Sequence, residues 1–336
     1  MSTRPSVAHA IGCPAGIAPE LTARILADPD VTGAARLLVT GDRRVLDKGA
    51  RTAGVTLDIE VIGPGDRIPG GDKPVLIDLG HLDPESIPVG TLAKPSGDFA
   101  MTNFRKALEL CVGGHADAVT FSPFNKASMR LSHPSYEDEV VFMSEFLHFT
   151  GLASEFNILP GLWNARVTSH VPISGVAALI TRTNVLRGLR LTDQAMRAAG
   201  FTPPRIAVAG LNPHAGDGGN FGREEIDEIS PAIEDARKLG IVCDGPFPSD
   251  TVFNRAKAGD FDGVLTMYHD QGQIAMKLIG FDQGVTVLGG FPFPIATAAH
   301  GSAYDIAGKG IANPGAMRNA MMIAARMAEA RRAAAA

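Results

Sequence analysis

With 336 residues, 45% of them hydrophobic and 20% charged, the chain can bury a large core and form two lobes, which excludes a disordered or fibrous protein. Its 31 basic and 36 acidic residues leave a formal charge of −5 with the two signs interspersed, so neither a nucleic-acid nor an anionic-membrane partner is expected. No segment approaches the roughly 18 continuous apolar residues of a membrane span, and the first ten residues lack the apolar core of a signal peptide; a cytoplasmic protein is expected.

Along the chain, short runs rich in Val, Ile and Ala alternate with longer helical stretches, predicting an α/β fold with mostly parallel strands. Ala165-Arg-Val-Thr-Ser-His170 reads as a strand, with Pro172 barring further ladder pairing. A helix is predicted over Thr183 to Ala199, where Val185, Leu186, Leu189 and Met196 form one apolar stripe before Gly200. The strand Arg205 to Ala209 follows and runs into Gly210-Leu-Asn-Pro-His214, and Gly263-Val-Leu-Thr-Met-Tyr-His269-Asp270 reads as a third strand. The terminal run Ala333 to Ala336 reads as a frayed helix end. Cys13, Cys111 and Cys243 are widely spaced without a CxxC pair, and read as small buried hydrophobes in a reducing compartment.

Each of these strands delivers a histidine near its carboxyl end, where open α/β sheets gather ligands. The spacings from His170 to His214 and from His214 to His269 are 44 and 55 residues, about one βαβ unit each, so the three imidazoles can converge at one edge. Three neutral imidazoles with a position left open make a catalytic site for zinc or another divalent ion. Asp250 and Asp270 are the neighbouring carboxylates that orient imidazoles or shuttle protons. Taken singly each histidine is more often an ordinary hydrogen-bonded one, as His9, His81, His115, His133, His148 and His300 are expected to be. No GxGxxG follows the first strand, and the glycine cluster His214 to Gly222 reads equally as an anion cradle and as a flexible connection.

The string His300-Gly301-Ser-Ala303-Tyr-Asp305-Ile306-Ala-Gly-Lys-Gly-Ile-Ala-Asn313-Pro314 resembles the adenosine-binding loop of the β-decarboxylating dehydrogenases of the isopropylmalate and isocitrate type. The resemblance implies that His300, Gly301, Ala303, Asp305, Ile306 and Asn313 bind the cofactor, with Asp305 accepting from the ribose hydroxyls. A carboxylate there would repel the 2′-phosphate of NADP, so NAD is expected. A glycine-rich turn capping a helix would explain the glycines but not the whole string.

Further strings stand in the order of the 4-hydroxythreonine-4-phosphate dehydrogenase family, which the chain resembles over nearly its whole length. They are Gly12-Cys-Pro-Ala-Gly-Ile-Ala-Pro-Glu20, Ser122-Pro-Phe-Asn-Lys126, Thr168-Ser-His170, Leu211-Asn-Pro-His-Ala-Gly-Asp-Gly-Gly219, Asp244-Gly-Pro-Phe-Pro-Ser-Asp250 and Tyr268-His-Asp-Gln-Gly272. The resemblance implies an isocitrate/isopropylmalate dehydrogenase-like α/β/α subunit with its cleft between lobes: 1–125 plus 278–336 as the NAD-binding lobe, and 126–277 as the metal, substrate and dimerisation lobe. It implies a homodimer with shared active sites, in which His170, His214 and His269 bind one divalent metal (Zn, or Mg, Mn, Co), the last histidine coming across the interface. Lys277 holds substrate, with Asp250 and Asp270 as the catalytic carboxylates, and Lys126, Ser144 and Thr286 fall on substrate-binding positions. The implied chemistry is oxidation of a small hydroxy acid, with decarboxylation where a carboxylate lies β to the new ketone.

Departures cluster on the substrate side. Cys13 replaces an acidic residue, Phe142-Met-Ser144-Glu-Phe146 is the nearest match to a Gly-His-Thr-Glu-Phe motif, and the phosphate-gripping asparagine and arginine fall on Thr286 and Ile295. An isoleucine cannot grip a phosphate dianion. The Gly289-Gly290 pair and the His-Gly-Ser-Ala-x-Asp-Ile-Ala-Gly string also resemble the terephthalate cis-dihydrodiol dehydrogenases, so a cis-dihydrodiol carboxylate is the alternative substrate. A phosphate acyltransferase sharing the fold, or a non-catalytic ligand-binding homologue, is the alternative of another class.

Overall fold

The computed structural model describes residues 4–335. The chain divides into two compact units, Met1–Gly151 with Val285–Ala336, and Leu152–Gly284.

The first unit begins with β1 (Ser6–Ala10), β2 (Arg36–Gly41), β3 (Glu60–Ile62), β4 (Val75–Asp78) and β5 (Ala118–Phe121), all paired in parallel in the order β3-β4-β2-β1-β5. Every residue of β1, β2 and β5 is buried, as expected for parallel strands covered on both faces. Strand alternation turns Ala8 and Ala10 toward the helix Lys94–Val112, where they join the core around Met101, Phe104 and Leu108.

The second unit carries β6 (Ser154–Leu159), β7 (Leu162–Arg166), β8 (Ile206–Ala209), β9 (Cys243–Phe247) and β10 (Gly263–Thr266), in the order β6-β7-β10-β8-β9. Among the described pairings within this unit, only the β6–β7 hairpin is antiparallel. Its two-residue turn sets Gly161 at φ 78°, a left-handed backbone that suits glycine after a proline. The chain returns to the first unit with β11 (Val285–Gly289) and β12 (Ile295–Ala298), β12 parallel to β5 and antiparallel to β11. The α/β class with mostly parallel strands is therefore as the sequence leads one to expect.

Two expectations change in detail. The segment 126–151 belongs to the first unit, because Met129, Phe142 and Met143 of its two short helices are buried in that unit's core. The histidine-bearing strands end earlier than expected, at Arg166 and Thr266, so the histidines stand on the loops beyond them and His269 opens a helix. The terminal helix Gly315–Ala335 takes in Ala333 to Ala335. The helix Arg182–Ala198 falls where the apolar stripe placed it.

Candidate active site

In the second unit β7, β10 and β8 are consecutive parallel neighbours, and the loops after their carboxyl ends carry His170, His269 and His214. The rings of His170 and His269 have centroids 5.8 Å apart, and the Nδ1 of His269 lies 2.6 Å from the Asp270 carboxylate. His170 and His214 are exposed, and His269 is partly so. Among the described residues no group of three or more His, Cys, Asp or Glu side chains is arranged within one chain to hold a metal ion. The structure thus pairs His170 with His269 but does not bring His214 to them in a single chain.

Two of these histidines pay for their position in backbone strain. His170 has φ 51°, and His214 opens six consecutive positive-φ residues: His214 at 54°, Ala215 at 52°, Gly216 at 81°, Asp217 at 44°, Gly218 at 64° and Gly219 at 101°. A left-handed L-residue costs about 1–2 kcal/mol, so the three that carry a Cβ in this turn cost roughly 3–6 kcal/mol. Such strain persists only where surrounding contacts over-determine it, and it gathers at functional sites. The glycine cluster therefore begins as a formed left-handed turn.

The polar groups that hold these loops were not singled out from the sequence. Arg166 is buried in β7, and its guanidinium donates to Ser169 Oγ at 3.0 Å, Asn157 Oδ1 at 2.5 Å and Glu155 Oε2 at 2.5 Å. Burial pushes its pKa down and the Glu155 carboxylate opposes that shift. Asn157 also accepts from Gln273, so one buried cation ties the turn before His170 to the helix His269–Gly280. Gln271 accepts from Met267 N–H and donates to Gly210 C=O, both at 2.7 Å, linking the ends of β10 and β8. On that helix Asp270, Ile274, Lys277 and Leu278 share one exposed face, with Leu278 83% exposed. Asp250 is exposed in the turn after β9.

The first unit holds the 300–313 loop. Ile17 and Leu21 of the helix region after β1 cluster with Ala307 and Ala312, and buried Glu20 accepts from Ala312 N–H at 2.9 Å. A Cβ on Gly16 would meet Ser302 C=O at 2.5 Å, and one on Gly310, at φ 70°, would meet Thr52 C=O at the same distance. The loop is thus seated by close backbone approach that only glycine permits, with Asp305 exposed. These features fit a dinucleotide loop. Asn313 Oδ1 accepts from Gly315 N–H at 2.9 Å at the start of the last helix, and His300 Nδ1 lies 3.1 Å from Gly301 C=O. Ala303 has φ 41° and Ile306 is half-buried. Tyr304 OH lies 3.3 Å from Cys13 Sγ, and burial pushes that thiol's pKa up. All three cysteines are free and buried, as expected.

Of the positions assigned to substrate, Lys126 pairs with Glu139 at 2.9 Å, Ser144 Oγ donates to Val140 C=O of its own helix, and Thr286 lies in β11. Ile295 is fully buried in β12.

Parallel α/β units with polar loops at their strand carboxyl ends, and in the first unit a glycine-seated loop carrying an exposed aspartate, fit an enzyme of the dehydrogenase class. Residues 33–324 match the family described as Pyridoxal phosphate biosynthetic protein PdxA. A Rhizobium meliloti (strain 1021) protein carrying the name of the 4-hydroxythreonine-4-phosphate dehydrogenases is 56% identical over 98% of this chain and 95% of its own. The crystal structure of 4-hydroxythreonine-4-phosphate dehydrogenase from Klebsiella pneumoniae is 30% identical with TM-score 0.82, over 96% of this chain and 99% of that one. A terephthalate 1,2-cis-dihydrodiol dehydrogenase from Burkholderia xenovorans LB400 is 28% identical with TM-score 0.67, over 96% and 98%. The chain belongs to the 4-hydroxythreonine-4-phosphate dehydrogenase family. Among the described residues no helix is long and apolar enough to cross a membrane.

Proposed function

We propose that this chain oxidises the hydroxyl of a small hydroxy acid with NAD and one divalent metal ion, and that it does so as a homodimer with shared active sites. The observation that carries the reading is the placement of His170, His214 and His269 on the loops after three neighbouring parallel strands. Imidazoles are the donors that zinc and similar divalent ions take. The described residues of one chain do not gather the trio, and on this reading a second copy completes the set with its own His269. The exposed face bearing Asp270, Ile274, Lys277 and Leu278 supports such a contact, since an apolar pair this open suits a self-complementary interface.

A bound ion would supply Lewis-acid polarisation of the hydroxyl and of the carbonyl that replaces it, and NAD would accept the hydride. Asp270 and Asp250 are the candidate bases for the hydroxyl proton. Lys277 offers its charge to the substrate carboxylate and would return a proton to the carbon that loses CO2 when decarboxylation follows. Asp305 would bind the adenosine ribose through its carboxylate.

For the substrate, family membership favours a phosphorylated hydroxy acid. Burial of Ile295 favours the second reading, a cis-dihydrodiol carboxylate, because a core isoleucine offers no charge to a phosphate. NADH formation at 340 nm with a divalent metal decides between them, comparing 4-phosphohydroxy-L-threonine with non-phosphorylated hydroxy acids and cis-dihydrodiol carboxylates. Turnover of none of them, with NAD or NADP, would overturn the dehydrogenase reading.

A further inference from the structure

The left-handed turn His214–Gly218 needs a restraint, and one buried carboxylate supplies it. Glu225 is 3% exposed. Its Oε1 accepts from the backbone N–H groups of Leu211 and Asn212, both at 2.8 Å, and its Oε2 accepts from Asn212 Nδ2 at 2.9 Å. The same amide donates to Glu224 at 2.7 Å. The carboxylate reaches this place because two positions lack side chains: a Cβ on Gly216 would lie 2.7 Å from Oε2, and one on Gly210 would lie 3.1 Å from Oε1. Glu225 itself opens a π-helical turn, Glu225–Ile229, a widened geometry that is often kept where it aims a side chain.

We propose that Glu225 is the positioning residue for His214. It grips the two residues before the turn and packs against the glycine inside it, so the segment cannot unwind into the right-handed backbone that its L-residues prefer. The imidazole is thereby presented in one orientation without touching Glu225. The catalytic part of this proposal rests on the function proposed above, whereas the structural part does not.

The test uses the full-length protein labelled with 13C-histidine, in four forms: wild type, Glu225→Ala, Glu225→Gln, and the control Val185→Ala, which opens a core cavity in the helix Arg182–Ala198. His214→Gln assigns the His214 ring signal. Glu225→Ala is expected to broaden or split that signal and to lower kcat by about tenfold or more while the KM for NAD stays within about twofold. Glu225→Gln keeps an acceptor for the two backbone N–H groups but turns an amide donor toward Asn212, so it should fall between. Val185→Ala, compared at matched loss of Tm, should leave the His214 signal sharp. An unchanged His214 signal in Glu225→Ala, or an equal change in Val185→Ala, would overturn the proposal. A wild type without dehydrogenase activity would sink the proposed function instead, and the ring signals would still decide the clamp.

Discussion

The imidazole rings of His170 and His269 stand 5.8 Å apart within one chain. Two imidazoles sharing a tetrahedral ion through bonds of roughly 2.1 Å have ring centres about 5 Å apart, so this pair lies near, but not at, a shared ion. Whether the working His269 is the chain's own or another copy's is open to a mixing experiment. His170→Ala and His269→Ala should each abolish NADH formation. Co-refolded together they should recover roughly a quarter of wild-type activity if sites are shared, since half the dimers are mixed and each mixed dimer then holds one intact site. No recovery would assign all three histidines to one chain.

Removing the metal gives a simpler expectation. Dialysis against a chelator should abolish turnover and leave the fold intact, because the imidazoles lie beyond the strand ends and the network of Arg166, Asn157 and Gln273 is formed without an ion. Far-UV circular dichroism should be unchanged, and added zinc or manganese should restore the rate. Full activity after chelation would rule out the metal reading.

Asp305→Ala should raise the KM for NAD about 10- to 100-fold, the range expected for losing hydrogen bonds to a charged acceptor. It should also narrow the preference over NADP, because the repulsion toward a 2′-phosphate goes with the carboxylate. Steady-state kinetics with both cofactors checks this. An unchanged cofactor ratio would place the ribose elsewhere.

Leu278 is 83% exposed and Ile274 61% exposed, one turn apart on the same helix face. Leu278→Asp should shift the protein to a monomer in light scattering and lower activity with it. A dimer that survives the substitution would move the interface to another face.

His9 offers a pH test unrelated to catalysis. It is fully buried, with Nδ1 3.0 Å from Thr120 Oγ1 and Nε2 3.1 Å from both Thr22 and Ser122 hydroxyls. Burial holds its pKa down at about 3, against an ordinary 6.5. Between those values the unfolded chain takes up a proton that the folded chain refuses, so stability is full above about pH 6.5 and declines as pH falls. The decline from this group is about 1.4 kcal/mol per pH unit within the window. Urea unfolding at pH 7 and pH 5 should show a loss of roughly 2 kcal/mol that is absent in His9→Gln.

Much of the candidate site was readable because its carriers are local strings. A run such as Gly263-Val-Leu-Thr must bury both faces and ends at a polar loop, so a histidine just beyond it falls at a strand's carboxyl end whatever else the chain does. The glycines of the 300–313 loop were readable for the same reason, although what the loop packs against, Thr52 at Gly310 and Glu20 at Ala312, lies some 260 to 290 residues away. Assigning 126–151 to the other lobe failed because apolar residues such as Phe142 and Met143 announce burial without saying in which core.

The sequence by itself determined the α/β class, the family and the residue types available for chemistry, because these follow from periodicity and from short motifs. Tertiary structure alone decided how those residues are held. Glu225 stands in a Glu-Glu-Ile-Asp-Glu-Ile run, yet its carboxylate is buried and accepts from N–H groups 13 and 14 residues earlier. Arg166, which the sequence places only within a strand, is the buried tie between the turn before His170 and the helix that His269 opens. A polar group's partners are chosen by the space around it, and that space exists only after the strands have paired.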